Sequence, residues 1–163
     1  MLAILLTTLP EGVSVYGAFA LMKILDFSLI FCYNRNTQGI GGKTEMLRPK
    51  EVVQLWVDAF NSHDVEAITA LYHENATNHQ VANEPVVGIE AIRTMFTAEF
   101  STADMTAIVE NIFEDGQWAI LEWRHPLGLR GCGFFQVVNG KILFQRGYWD
   151  KLSFLKQHNL PIE

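Results

Sequence analysis

The sequence predicts an α+β domain, a cone in which three helices group against one face of a curved antiparallel sheet. Three observations predict it. Apolar residues recur at helical spacing after Met46 and again after Gly88. The pattern then changes to strand-like alternation for most of the remaining chain. Two Asx-Gly dipeptides, Asp115-Gly116 and Asn139-Gly140, mark tight hairpins within that stretch.

Pro49 opens the first helix at a position where its missing N–H costs nothing. Val52, Leu55, Trp56, Ala59 and Phe60 then form one apolar face, and Asn61, Ser62 and His63 break it. Asp64 is a good N-cap for a second helix lined by Val65, Ile68, Leu71 and Tyr72. Residues 76–82 read as a short strand. Gly88 precedes a third helix with Ile89, Ile92, Met95 and Phe96 on one face. IVENIFE and WAILEWR flank the first hairpin turn, and GCGFFQVV and KILFQRGYW the second, so four strands form a meander. Asp150 can cap a last short helix, LSFLKQ.

Composition limits the function classes. The chain has 163 residues, 49% apolar and 18% charged, which suits one domain with a packed core. A net charge of −6 argues against nucleic-acid binding, which needs a basic face to displace counterions. Residues 1–45 carry equal numbers of acidic and basic side chains, so the excess acidity lies in residues 46–163. The two cysteines, Cys32 and Cys132, make neither a disulfide framework nor a metal spacing, which points to a reduced, cytoplasmic protein. No His pair has ligand spacing with a carboxylate, and no P-loop, GxSxG, HExxH or dinucleotide fingerprint is present, so no metal and no cofactor are expected.

Two parts are expected: residues 1–45, an apolar extension ending in a Gly-containing linker, and the domain at 46–163. For the extension three readings stay open: a non-native start or disordered extension, a membrane anchor, or an integral part of the fold. The run VSVYGAFALMKILDFSLIFCY is long enough to span a bilayer but contains Lys23 and Asp26. Each charge costs on the order of 2.5–3.5 kcal/mol at the bilayer centre. No stable membrane association is therefore expected unless residues 1–33 act as an anchor.

The segments VVQLWVDAFNSHDVEAITALYHENAT, VVGIEAIRTMF and GFFQVVNGKILFQRGYWD resemble the nuclear transport factor 2-like superfamily, in its SnoaL-like and ketosteroid isomerase-like branch. The resemblance covers about 46–163 and implies the cone fold. It does not imply one function, because this superfamily hosts enzymes, binding modules and interaction domains. At the position of the ketosteroid isomerase base stands Gln80, and at the oxyanion-hole positions stand Trp56 and Gly133, so that catalytic set is not retained. At the limonene-epoxide hydrolase Asp–Arg–Asp positions stand Glu122, Arg124 and Gly147, and at its Tyr and Asn positions Asn78 and Gln80, so that set is not retained either.

Strand side chains alternate faces, so Glu122 and Arg124 share a face with Ile120, opposite Leu121 and Trp123. The resemblance points Glu122 and Arg124 into the cone as an acid/base group and its orienting partner, or as a structural ion pair at the pocket mouth or a dimer surface. Asn78 and Gln80 share a face and would bind a polar group of the ligand, with Trp56 and Trp149 as pocket walls. His79 has suitable chemistry but the wrong parity unless a bulge intervenes. Gly131, Gly133 and Gly147 would face inward, leaving room for a ligand or bending the sheet. Cys132 on the opposite face reads as packing.

The leading expectation is a pocket protein for a small apolar molecule, acting as a cofactor-independent acid/base enzyme of isomerase, cyclase or hydrolase type. The alternative is a non-catalytic dimeric ligand-binding or protein-interaction module, using the outer sheet face near Trp123, Phe134 and Tyr148. A homodimer is expected in either case.

Overall fold

A computed structural model describes residues 46–162. The expectations for residues 1–45 lie outside the described residues. Helix α1 (Pro49–Asn61) and the one-turn helix α2 (Val65–Thr69) are followed by strand β1 (Tyr72–Gln80) and a two-residue strand β2 (Val86–Val87). Helix α3 (Ile89–Thr102) leads into the meander β3 (Ile108–Asp115), β4 (Trp118–Arg124), β5 (Arg130–Val138) and β6 (Lys141–Trp149), and helix α4 (Lys151–Gln157) ends the fold.

Local chemistry accounts for the helix boundaries. The Glu51 carboxylate accepts from the Arg48 backbone N–H at 2.9 Å and closes the start of α1 just before Pro49. Asp64 accepts from the Ala67 N–H at 2.9 Å to cap α2, and Asp150 accepts from the Leu152 and Ser153 N–H groups to cap α4. Gly88, with φ at +89°, turns β2 into α3, a backbone conformation that side-chain-bearing residues rarely adopt.

The six strands run in the order β2-β1-β6-β5-β4-β3. All neighbours are antiparallel except β1 and β6, which are parallel. Both hairpins form where the Asx-Gly dipeptides stand, and at Asn139-Gly140 both residues have positive φ (51° and 75°), as a tight primed turn requires. Register shifts between Tyr72 and Thr77, Val109 and Asn111, and Gln136 and Val137 add local twist, so the sheet curls around the helices.

The concave face of the sheet and the inner faces of α1 and α3 share one core. Its largest fully buried side chains include Phe96, Phe135, Ile68, Ile92, Leu121 and Ile142. Each such residue contributes roughly 1.5–3 kcal/mol by leaving water.

Two expected boundaries are corrected. Leu71 and Tyr72 do not extend the second helix: α2 stops at Thr69, the Leu71 carbonyl accepts from the Ile142 N–H at 2.8 Å, and Tyr72 pairs with Ile142 at the start of β1. Sheet pairing there outweighs a helical pattern of only two turns. The first strand therefore spans 72–80 rather than 76–82, and Val86–Val87 adds a short edge strand that sequence reading missed.

Candidate functional site

Between the concave sheet face and helices α1 and α3 lies a cavity of about 320 Å³. Its walls are mainly apolar. Trp56 and Phe60 come from α1, Met95 and Phe96 from α3, Leu121 and Trp123 from β4, and Phe135 from β5. Trp149 and Phe154 close the end near α4, with ring centroids 5.3 Å apart. The aromatic wall is internally braced: Trp56 stacks on Phe60 at 5.0 Å and meets Phe135 edge-on at 5.3 Å. Asn61, the last residue of α1, bonds both the N–H (2.8 Å) and the carbonyl (3.0 Å) of Ala107, and so holds the cavity-lining segment that follows α3.

The inward glycines give flat surfaces on which neighbouring side chains lie. A Cβ on Gly131 would stand 2.5 Å from the Trp123 ring and 2.6 Å from the Tyr148 carbonyl oxygen. One on Gly133 would stand 2.8 Å from the Phe135 ring, and one on Gly147 would overlap the Gln80 amide at 2.0 Å. The glycines thus make room for the cavity wall itself. Gly147→Ala is expected to push the flexible Gln80 amide off the sheet at a cost of ~1 kcal/mol, about one net hydrogen bond. Because Trp149 would lose its bond to Gln80, its fluorescence should change with the melting temperature, and an unaltered Trp149 signal would contradict this placement.

One polar network lies under the apolar walls. The Trp149 indole N–H donates to Gln80 Oε1 at 3.0 Å, and Gln80 Nε2 donates to Asn78 Oδ1 at 2.8 Å. Asn78 Nδ2 donates to Gln145 Oε1 at 3.2 Å and is 3.3 Å from the Tyr72 hydroxyl. From the other side the Trp56 indole N–H donates to the Tyr72 oxygen at 2.9 Å, and the Tyr72 hydroxyl donates to Gln145 Oε1. Burial pushes the Tyr72 phenol far above its usual pKa, so it remains a neutral donor.

The cavity also holds one carboxylate, Glu99 on α3. Burial raises its pKa to about 7, offset only in part by the His63 charge. Among the described residues no side chain or backbone donor bonds its carboxylate. No group of described residues has metal-ligand character, and no described helix is long and apolar enough to cross a membrane.

The family model of the SnoaL-like domain matches residues 53–144, more than half of the chain. The chain belongs to the SnoaL-like domain family. Several solved structures share its fold. A protein with a ketosteroid isomerase-like fold from Catenulispora acidiphila, in complex with trimethylamine, superposes with TM-score 0.63 at 17% identity, over 71% of this chain and 96% of that one. An epoxide hydrolase/cyclase-like enzyme of pyran ring formation in the polyether salinomycin gives 0.57 at 23%, over 64% and 92%. A limonene-epoxide-hydrolase-like epoxide hydrolase of M. tuberculosis gives 0.56 at 20%, over 64% and 84%. At these identities the likeness shows the fold alone. Among curated proteins none matches the chain.

In this SnoaL-like domain the expected binding residues Trp56, Trp149 and Gln80 line the cavity, and Asn78 is buried directly behind Gln80 in the network. His79 does not line it. Glu122 and Arg124 are a correction: neither lines the cavity. Leu121 and Trp123 face inward instead, and Glu122 accepts from Asn111 on an exposed surface while Arg124 lies near Glu110 at 3.6 Å. The physical reason is the buried set of β4, Ala119 and Leu121, which takes the core face and leaves the charges outside. For the same reason Trp123 is a wall residue, not part of the outer face. Cys132 pairs across the sheet with Glu122 and Tyr148, and burial together with the Glu122 carboxylate raises its thiol pKa, opposite to what a nucleophile needs.

Glu99, Tyr72 and Gln145 were missed. Glu99 follows an apolar helical face and reads as an ordinary surface glutamate. Gln145 shares its inward parity with Gly147 and Trp149, a signal that was present in the sequence.

Proposed function

We propose that this SnoaL-like domain binds a small, mainly apolar molecule in the cavity and transfers a proton on it through Glu99, without a cofactor. The observation that carries the reading is an apolar cavity with one unbonded carboxylate whose pKa lies near neutrality. A carboxyl group there exists in both protonation states at pH 7, which suits a general acid or base. Isomerase, cyclase and hydrolase chemistry all use such a group, and solved structures of the same fold include a cyclase-like enzyme and an epoxide hydrolase. Glu122 and Arg124 stay outside this proposal because they face away from the cavity.

The test is a thermal-shift panel of terpenoid, polyketide-like and steroid-like compounds, followed by turnover assays on each binder. A ligand at ~100 times its Kd adds roughly 2.7 kcal/mol of stability, a rise of several degrees. Trp149→Ala should abolish that shift and Glu122→Gln should leave it intact. Glu99→Gln should keep binding but lose turnover by roughly 10²–10⁴-fold. A shift abolished by Glu122→Gln, or full turnover in Glu99→Gln, would refute the assignment.

A second reading, the dimeric module, draws on a separate observation. Trp118, Phe134, Phe144, Arg146 and Tyr148 form an aromatic groove on the outer sheet face, with Trp118 and Tyr148 exposed. A homodimer through this face would cover it. Sedimentation of Tyr148→Glu alongside the unaltered protein decides it, since a dimer here should dissociate and a monomer should not respond.

A further inference from the structure

The hydrogen-bond directions within the network fix what its unused end can recognise. An indole N–H can only donate. Trp149 therefore makes Gln80 Oε1 an acceptor, which leaves Gln80 Nε2 to donate to Asn78 Oδ1 and Asn78 Nδ2 to donate onward. Trp56 likewise makes the Tyr72 oxygen an acceptor and directs its hydroxyl hydrogen to Gln145. The two chains converge on one atom, Gln145 Oε1, which receives both donors.

Gln145 is 2% exposed and lines the cavity. Among the described residues its Nε2 has no hydrogen-bond partner. Both of its hydrogens are thus unspent on protein partners, at a residue that lines the cavity. Rotating the amide would set its N–H₂ against two donors, so the orientation is locked. Neither Lys, Arg nor His lines the cavity among the described residues, and its one carboxylate is Glu99. An anionic ligand would find no countercharge there.

We infer that Gln145 is the specificity-determining residue of the cavity, and that it selects neutral apolar molecules carrying a carbonyl oxygen, which accepts from Gln145 Nε2. This rests on the cavity being a small-molecule site, as proposed above, and adds the polarity of the ligand. A hydrocarbon of the same shape would leave the donor unpaired. An ammonium group would oppose donor to donor at Gln145 and would have Glu99 as its one countercharge among the described lining residues.

The test uses three ketone–hydrocarbon pairs of rising size: cyclohexanone with cyclohexane, menthone with p-menthane, and cyclododecanone with cyclododecane. Side-chain amide signals of the full-length ¹⁵N-labelled protein are followed by NMR, with Gln145 assigned through its backbone. At least one ketone should move the Gln145 amide protons downfield, while its hydrocarbon partner moves only the aromatic wall. In Gln145→Met, which keeps the length and removes the donor, that ketone should bind roughly ten-fold or more weakly, with the hydrocarbon unchanged within a factor of about two. The wild-type NMR result stands by itself if that variant does not fold. Ketones that perturb Trp149 and Phe96 but not the Gln145 amide would overturn the inference and leave the cavity reading in place. No perturbation of the cavity wall by any of the six compounds would overturn both.

Discussion

Phe135→Ala is expected to destabilise the domain by ~3–5 kcal/mol, the range for truncating a buried aromatic residue. Phe135 is 1% exposed, meets Trp56 edge-on and forms part of the cavity wall, so its loss merges the cavity with new void that the rigid sheet cannot close. Its ring also lies over Gly133, where a Cβ would stand 2.8 Å from it. Gly133→Ala in the unaltered protein should therefore cost about 1–3 kcal/mol through overpacking. In the Phe135→Ala background the same change should cost little, because the ring it strikes is gone. Denaturant unfolding of the four proteins checks this, and simple additivity of the two changes would disprove the contact.

Glu99→Gln should make the domain more stable at pH 8 and leave it unchanged at pH 4. The sign follows from linkage. The folded pKa of about 7 lies above the usual 4.5, so between those values the folded state holds a proton that the unfolded chain has lost. Stability falls as pH rises through that window, and above pH 7 the full cost of a buried carboxylate remains. Its size is ~3 kcal/mol, from a rise from 4.5 to about 7 at about 1.4 kcal/mol per pH unit. Removing the charge relieves it, raising the melting temperature by several degrees at pH 8. Equal stability gains at pH 4 and pH 8 would mean that Glu99 is solvated at the cavity mouth. Stability gained together with turnover lost would mark Glu99 as a residue retained for its chemistry at the expense of the fold.

The sequence alone determined the element order, apart from the short edge strand β2. Apolar spacing places α1 and α3, the Asx-Gly pairs place both hairpins, and Asp64 and Asp150 place two helix starts, because each signal acts within a few residues of chain. It also determined which residues of a strand share a face: Asn78 with Gln80, and Glu122 with Arg124. Only the tertiary structure decided which face of β4 is buried. That strand carries apolar residues at Ile120 as well as at Ala119, Leu121 and Trp123, so alternation names two faces without ranking them. The choice is made by pairing with β5, where Leu121 meets Gly133 above the core and Glu122, opposite Cys132, stays off the cavity wall. The site is likewise tertiary. Glu99 owes its raised pKa to burial in the folded domain, and Gln145 owes its unspent donor to Tyr72 and Asn78, more than 60 residues away in sequence. Periodicity reports neighbours along one element, whereas desolvation and hydrogen-bond direction depend on what the fold brings from elsewhere.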